Sequence, residues 1–244
     1  MDINEWNRLD KEEDRSSVIR SQSLSIDFIE QIWNSLTEEQ RDNICLYQTL
    51  PIEFIKKIWK ELKLSQQNLI CQYQKLSIEF IEQIWNTLTE YQRSKVCECQ
   101  KLSYNFIEQI WNSLTEEQRD NICLYQTLPI EFIKKIWKKL TMSQRDSICQ
   151  NQTLSIEFIK QIWDTLTEYQ RDAVCVGHNL PATFIEQIWP QLNEYQRDYI
   201  CRHQTLPIEF IKQIWKELTK WQRKVIKDKD PLTKFVTYSL DERK

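Results

Sequence analysis

The chain has 244 residues, 28% of them charged, a formal net charge of −3, one glycine and six prolines. Near-neutral charge argues against a protein built mainly to grip phosphate backbones. Scarce glycine argues against a turn-rich all-β fold, and no apolar run approaches the roughly 18 residues of a membrane span.

In chain order, residues 1–23 come first and read as a worn half-repeat. Trp6-Asn7-Arg8-Leu9 matches Trp33-Asn34-Ser35-Leu36, and Val18, Ile19 and Gln22 match Ile44, Cys45 and Gln48. The opening MDINEWNRLDKEEDR is acidic and polar. It lacks the features of a secretory signal, so a cytoplasmic location is expected.

From Leu24 onward tryptophan returns at a fixed spacing of 26, from Trp33 through Trp59 and Trp85 to Trp215. A constant period of this length is the signature of a tandem array. In the unit Leu24–Thr49, Ile26, Ile29, Trp33 and Leu36 follow helical spacing, with Phe28 and Ile32 widening the stripe. Proline (Pro51, Pro129, Pro181, Pro207) or serine (Ser25, Ser77, Ser103, Ser155) follows the first leucine, as suits an opening turn. This predicts a first helix of about twelve residues. Thr37 followed by Gln40 is a capping-box pattern for a second helix of about ten residues, buried along Ile44 and Cys45. Caps and prolines interrupt any continuous coiled coil, and the leucine-rich-repeat pattern L-x-x-L-x-L-x-x-N is absent. One such hairpin cannot offset the entropy of ordering its own backbone, whereas stacked hairpins bury both flanks.

Seven cysteines keep the period (Cys45, Cys71, Cys97, Cys123, Cys149, Cys175, Cys201), one per repeat, with Cys99 outside it. Equivalent positions in stacked helices lie about 8–10 Å apart, too far for disulfides, and one thiol per repeat does not make a zinc site. They are expected to be small core residues. One glutamine row (Gln40, Gln66, Gln92 and onward) is read as capping. A second row (Gln48, Gln74, Gln100 and onward) is read as fastening turns between repeats.

A longer period of 78 returns repeat one as repeat four, and sets Lys56, Lys57 and Lys60 in phase with Lys134, Lys135 and Lys138 and with Lys212 and Lys216. The preferred reading is block copying with opposite charges in successive repeats, rather than a basic track for an acidic partner. Between repeats six and seven, Gly177-His178-Asn179 replaces the usual turn, and Pro190 follows Trp189 directly. An interior proline kinks a helix or costs about 3 kcal/mol, so a bend is expected near residues 176–190, with Gly177, His178 and Pro190 as candidate hinge residues. Near the end Lys227 takes the cysteine position, and a degraded ninth repeat starts at Leu232. Degenerate polar ends cap solenoids, so the chain is expected to be complete, with residues 232–244 as cap or tail.

The third position of the second-helix segment turns aromatic late in the array, at Tyr169, Tyr195 and Trp221. With Tyr199, Arg202 and His203 these form a candidate partner-binding patch of hot-spot residue types, although packing between hairpins would also explain them. The frame L-S/P-x-x-F-I…W…I-C-x-Y-Q-x-L over residues 24–231 resembles short helical repeats of large DNA viruses and phages, which implies a viral or host-interaction context and no mechanism.

The fold expected is all-α: a right-handed α-solenoid of eight 26-residue helix-turn-helix repeats with degenerate capping ends. Its expected function is a non-enzymatic protein-binding or structural scaffold, because no nucleophile set, acid–base pair or phosphate loop is present. The alternative is a modular reader of single-stranded nucleic acid. The expected partner is another protein, with self-association open, no membrane, and no cofactor or metal.

Overall fold

The computed structural model describes residues 3–9 and 11–229, and every regular element among them is helical. The chain forms two compact units, Met1–Thr127 and Leu128–Lys244, divided between repeats four and five. The ninth-repeat start at Leu232 and the cap or tail over 232–244 lie outside the described residues.

Each repeat has three elements. In repeat one they are an α-helix Ile26–Ile32 (helix A), a 3-10 turn Trp33–Ser35, and an α-helix Glu38–Tyr47 (helix B). Helix B recurs in the first unit as Leu64–Tyr73, Glu90–Cys99 and Glu116–Tyr125. In the second unit it is Met142–Asn151, Glu168–Gly177, Glu194–His203 and Lys220–Lys229. The first helix is therefore shorter than its apolar stripe predicts. Its i→i−4 ladder ends where the Trp33 amide bonds the Ile29 carbonyl, and the Leu36 amide then reaches back only to Trp33. Ser35 and Thr87 fasten the changeover by donating to Ile32 and Ile84 carbonyls at 2.7 Å. A hydrophobic period cannot distinguish a tightened last turn from a continued helix, because both keep the same face inward.

Serine before helix A acts as its N-cap, with Ser25, Ser77 and Ser103 accepting from the amides of Phe28, Phe80 and Phe106 at 3.2–3.3 Å. Proline holds the same place in repeats two, five, seven and eight, with φ −62° at Pro51. Helix B opens on the capping box: Gln40 Oε1 accepts from the Thr37 amide at 3.1 Å, and Thr37 Oγ1 accepts from the Gln40 amide at 3.4 Å. Lys63 has no side chain able to close its own half of the box, but Gln66 still accepts its amide at 3.1 Å.

Packing follows one rule within each unit. The tryptophan of one repeat sets its edge against the phenylalanine of the next: Trp33 on Phe54, Trp59 on Phe80, Trp137 on Phe158, with centroids 5.4–5.5 Å apart and nearly perpendicular planes. Edge-to-face geometry suits the ring quadrupoles and adds about 0.5–1.5 kcal/mol per pair beyond burial. An arginine eight residues on covers the outer indole, as Arg41 covers Trp33 at 5.4 Å and Arg171 covers Trp163 at 5.4 Å. Its Nε also donates to the tryptophan carbonyl, at 3.2 Å for Arg41 and 3.3 Å for Arg171. Gln67 does the same for Trp59 at 3.0 Å.

The leading segment uses these contacts in reduced form. Helices Ile3–Asn7 and Glu12–Ser21 bury Trp6 and Ile19. Trp6 meets Phe28 at 5.8 Å under Arg15.

The second glutamine row is the fastener between repeats. Gln74 accepts from the Leu50 amide at 2.9 Å and donates to the carbonyls of Cys45 at 2.8 Å and Gln48 at 2.6 Å. Gln100 repeats this one step along, toward Leu76, Cys71 and Gln74. Each such side chain satisfies three buried backbone groups that helix ends and turns leave open.

The seven periodic cysteines are free and buried, and desolvation pushes their thiols up to about 12. Cys99 alone is exposed. Because the thiolate is the reactive form, a disulfide-exchange reagent at pH 8 is expected to label Cys99 within minutes and the other seven only on unfolding. Rapid labelling of more than two thiols per chain in native buffer would contradict this core.

Candidate ligand-binding face

The three-element repeat determines which side chains reach solvent. Helix A is pinned by Phe, two isoleucines and the Trp–Phe contacts. Helix B buries its box glutamine, its Ile and its Cys, and turns its second, ninth and tenth positions outward. Among the described residues, the exposed large apolar side chains other than Ile3 all lie on helix B, from Tyr47 and Tyr73 to Tyr195 and Trp221.

In the second unit, the helices B of repeats five to seven enclose a surface groove of about 560 Å³. Tyr169 and Tyr195 are its aromatic walls, Gln150 and Asn151 contribute amides, and Asp172 a carboxylate. Ala173, Val176 and Gly177 complete the lining. Gln150 Nε2 donates to the Tyr169 hydroxyl, and Gln196 Nε2 donates to Asp172 Oδ1 at 2.6 Å.

Of the residues picked out by sequence, Tyr169 and Tyr195 face this groove. Tyr199 donates to the Val176 carbonyl at 2.9 Å behind it and stacks at 4.3 Å on His203. Arg202 lies over Trp221, 5.2 Å from the ring centroid. Packing between neighbouring helices B thus occupies Tyr199 and Arg202, and His203 stacks on Tyr199 of its own helix, while Tyr169, Tyr195 and Trp221 stay 41–58% exposed. Gln150, Asn151, Asp172 and Ala173 were not singled out by sequence. The available signal was a comparison of repeats: Ala173 and Gly177 hold slots filled elsewhere by larger side chains such as Leu69, Tyr73 and Tyr125.

The three candidate hinge residues separate. Pro190 does not sit inside helix A, which ends at Ile188; it is the middle residue of the 3-10 turn Trp189–Gln191. The Trp189 amide closes the α ladder on Ile185 and the Leu192 amide returns to Trp189, so proline falls at the changeover. Backbone angles there (Ile188 φ −91°, ψ −12°) match those of Ile84 (φ −93°, ψ −14°) in a repeat without proline. The kink or 3 kcal/mol cost expected of an interior proline does not arise. Gly177 is an ordinary last residue of helix B, and no glycine among the described residues has positive φ.

His178 stands in the fastener row. Its Nε2 accepts from the Leu154 amide at 3.0 Å, and its own carbonyl accepts from Gln204 Nε2 at 2.9 Å. Its buried Nδ1 has no hydrogen-bond partner of ordinary geometry. Burial holds its pKa below the usual 6.5, against the opposing pull of the Val174 and Gln152 carbonyls. An unfolded chain therefore takes up this proton more readily than the folded one. The contribution to stability is complete above about 6.5 and is lost as pH falls below it. Protonation also removes the lone pair that holds the Leu154 amide. Urea midpoints are expected to fall between pH 7.5 and 5 more for the native chain than for His178→Gln; equal slopes would remove His178 from the seam's titration.

No helix among the described residues is long and apolar enough to cross a membrane. No protein-family model and no curated protein matches the chain. Among solved structures it is similar to a leucine-rich repeat variant described as having a novel repetitive structural motif, with a TM-score of 0.57 and 12% identity over 95% of this chain and 87% of that one. The likeness is one of fold: a helical repeat architecture reached without the leucine-rich-repeat sequence pattern and, among the described residues, without strands. It carries no information on a viral or phage source.

Proposed function

We propose that the protein is a non-enzymatic scaffold that binds another protein through the helix-B faces of its units. The observation that supports this is the segregation of exposed apolar side chains onto helix B. Aromatic side chains standing in a polar surround are the common anchors of protein interfaces.

Single-stranded nucleic acid is the second reading, because exposed aromatic rings also stack bases. Two features weigh against it. The arginines that recur on helix B are committed to tryptophan rings and carbonyls. The first turns of helix B carry acids, at Glu38, Glu39, Glu116, Glu117, Glu168 and Glu194.

Photo-crosslinkers placed at Tyr73 and Tyr195 are expected to capture partner protein, and crosslinkers at Gln31 and Gln109 on helix A are not. Titration with single-stranded RNA and DNA at 50–300 mM salt is expected to show no tight complex. Tight binding with a steep salt slope would replace this reading by the second.

A further inference from the structure

The groove in the second unit is a side-chain-shaped vacancy in an otherwise filled row. The tenth position of helix B carries Tyr47, Tyr73 and Tyr125 in repeats one, two and four, each 53–54% exposed, and Cys99 in repeat three. In repeat six the tenth position is Gly177, and the sixth, one turn earlier on the same side, is Ala173. Backbone geometry does not require the glycine: its φ is not positive, and beyond its own helix an added Cβ would come no nearer than 4.0 Å to its surroundings, at the Cys149 carbonyl oxygen. The space outside it is open and is walled by two tyrosine rings.

We propose that this groove receives an aromatic side chain of a partner peptide, with a lysine or arginine of the same peptide beside it. The ring takes the place that Tyr47, Tyr73 and Tyr125 hold in repeats one, two and four, with its edge or face against Tyr169 and Tyr195 and its flat side over Ala173 and Gly177. Aromatic pairing of this kind favours offset or edge contacts at about 4.5–7 Å between centroids. The cation is specified by charge. Asp172 is the charged side chain that lines the groove, with only its Oδ1 engaged by Gln196. The cations nearby are otherwise committed: Arg171 covers Trp163, Arg197 covers Trp189 and Arg202 covers Trp221. The proposal rests on the protein-binding reading above and names the partner's chemistry at one site.

The test uses the full chain and a phage-displayed library of random heptapeptides, with counter-selection on Gly177→Tyr. That variant refills the slot with the residue other repeats carry there, so its helical circular dichroism is expected to match the native chain. If its helicity falls, Ala173→Leu, which restores the residue found at Leu69, is the second filler. Selected peptides are expected to contain Tyr, Trp or Phe within two residues of Lys or Arg. Labelled versions are expected to bind the filled variant at least about tenfold more weakly. Asp172→Asn keeps an acceptor for Gln196 and is expected to reduce affinity only for peptides that retain the cation. Peptides that bind native and filled chains equally would overturn the groove and leave the scaffold reading standing. Peptides lacking an aromatic residue, or enriched in acids, would overturn the proposed chemistry. No enrichment over bare support would overturn the groove as well, and the crosslinking experiment then decides the scaffold reading separately.

Discussion

Replacing Gln74 by leucine is expected to lower stability by about 3–5 kcal/mol, although leucine is the more apolar residue and of similar size. The amide of Gln74 closes three buried backbone groups: the Leu50 N–H and the carbonyls of Cys45 and Gln48. Leucine fills the volume but leaves all three without a partner, and each buried orphan costs about 1–3 kcal/mol. Extra apolar contact recovers part of this, because the site is already dry. The loss is expected to be local: hydrogen exchange should accelerate in repeats one to three of the first unit and least in its leading helices, as nearest-neighbour coupling requires. A urea midpoint within about 1 kcal/mol of the native value would show that water replaces the glutamine without strain. Gln74→Glu is a useful companion. It keeps the acceptor for Leu50 but puts a carboxylate against two carbonyls, and is expected to be at least as damaging at pH 7.

The second large effect is expected at Trp163. Truncation to alanine removes the edge contact with Phe184 at 5.5 Å, the ring beneath Arg171 at 5.4 Å, and the Nε1 bond to Gln191 at 3.1 Å. Loss of a buried Trp in a close-packed core costs about 3–5 kcal/mol. Here the cavity opens between successive repeats, where Lys160 over Phe184 at 5.7 Å is a weaker crossing contact than the indole. Arg171 keeps its bond to residue 163 because that bond is to the carbonyl. The backbone turn should therefore survive while the seam to Phe184 loosens. Trp163→Phe, which restores an edge without the indole nitrogen, is expected to recover roughly half of the loss. Unchanged thermal unfolding of the alanine variant would show that the Trp–Phe ladder contributes little to cohesion between repeats.

Much of this architecture is legible in the chain alone. The 26-residue period identifies the repeat, the 3–4 spacing identifies the helices, and Thr37 with Gln40 identifies the start of helix B. The periodic thiols could be assigned to the core because one per repeat suits neither a disulfide nor a metal set. The fastener row could be suspected from a glutamine that recurs at the turn in repeats one to seven except the sixth, where His178 replaces it, since such a residue has backbone groups to satisfy. The arginine row was equally visible, eight residues after each tryptophan with one glutamine substitution at Gln67, but its task was not. An arginine on a helix surface reads as solvated charge until its stacking partner is located.

Other features needed the fold. Pro190 looked like a helix breaker because the apolar stripe runs through it, and only hydrogen-bond geometry shows the ladder changing register there. Tyr199, Arg202 and His203 fitted either a recognition patch or packing between hairpins, and the fold shows Tyr199 and Arg202 engaged by neighbouring helices B and His203 stacked on Tyr199. The groove was hidden because it consists of side chains that are missing, at Ala173 and Gly177, between residues about 25 positions apart in sequence. Periodicity determines the unit and its buried face because those follow from local spacing along one helix. Register changes, charge burial and vacancies depend on what the adjacent repeat presents, and that is set only when successive hairpins pack.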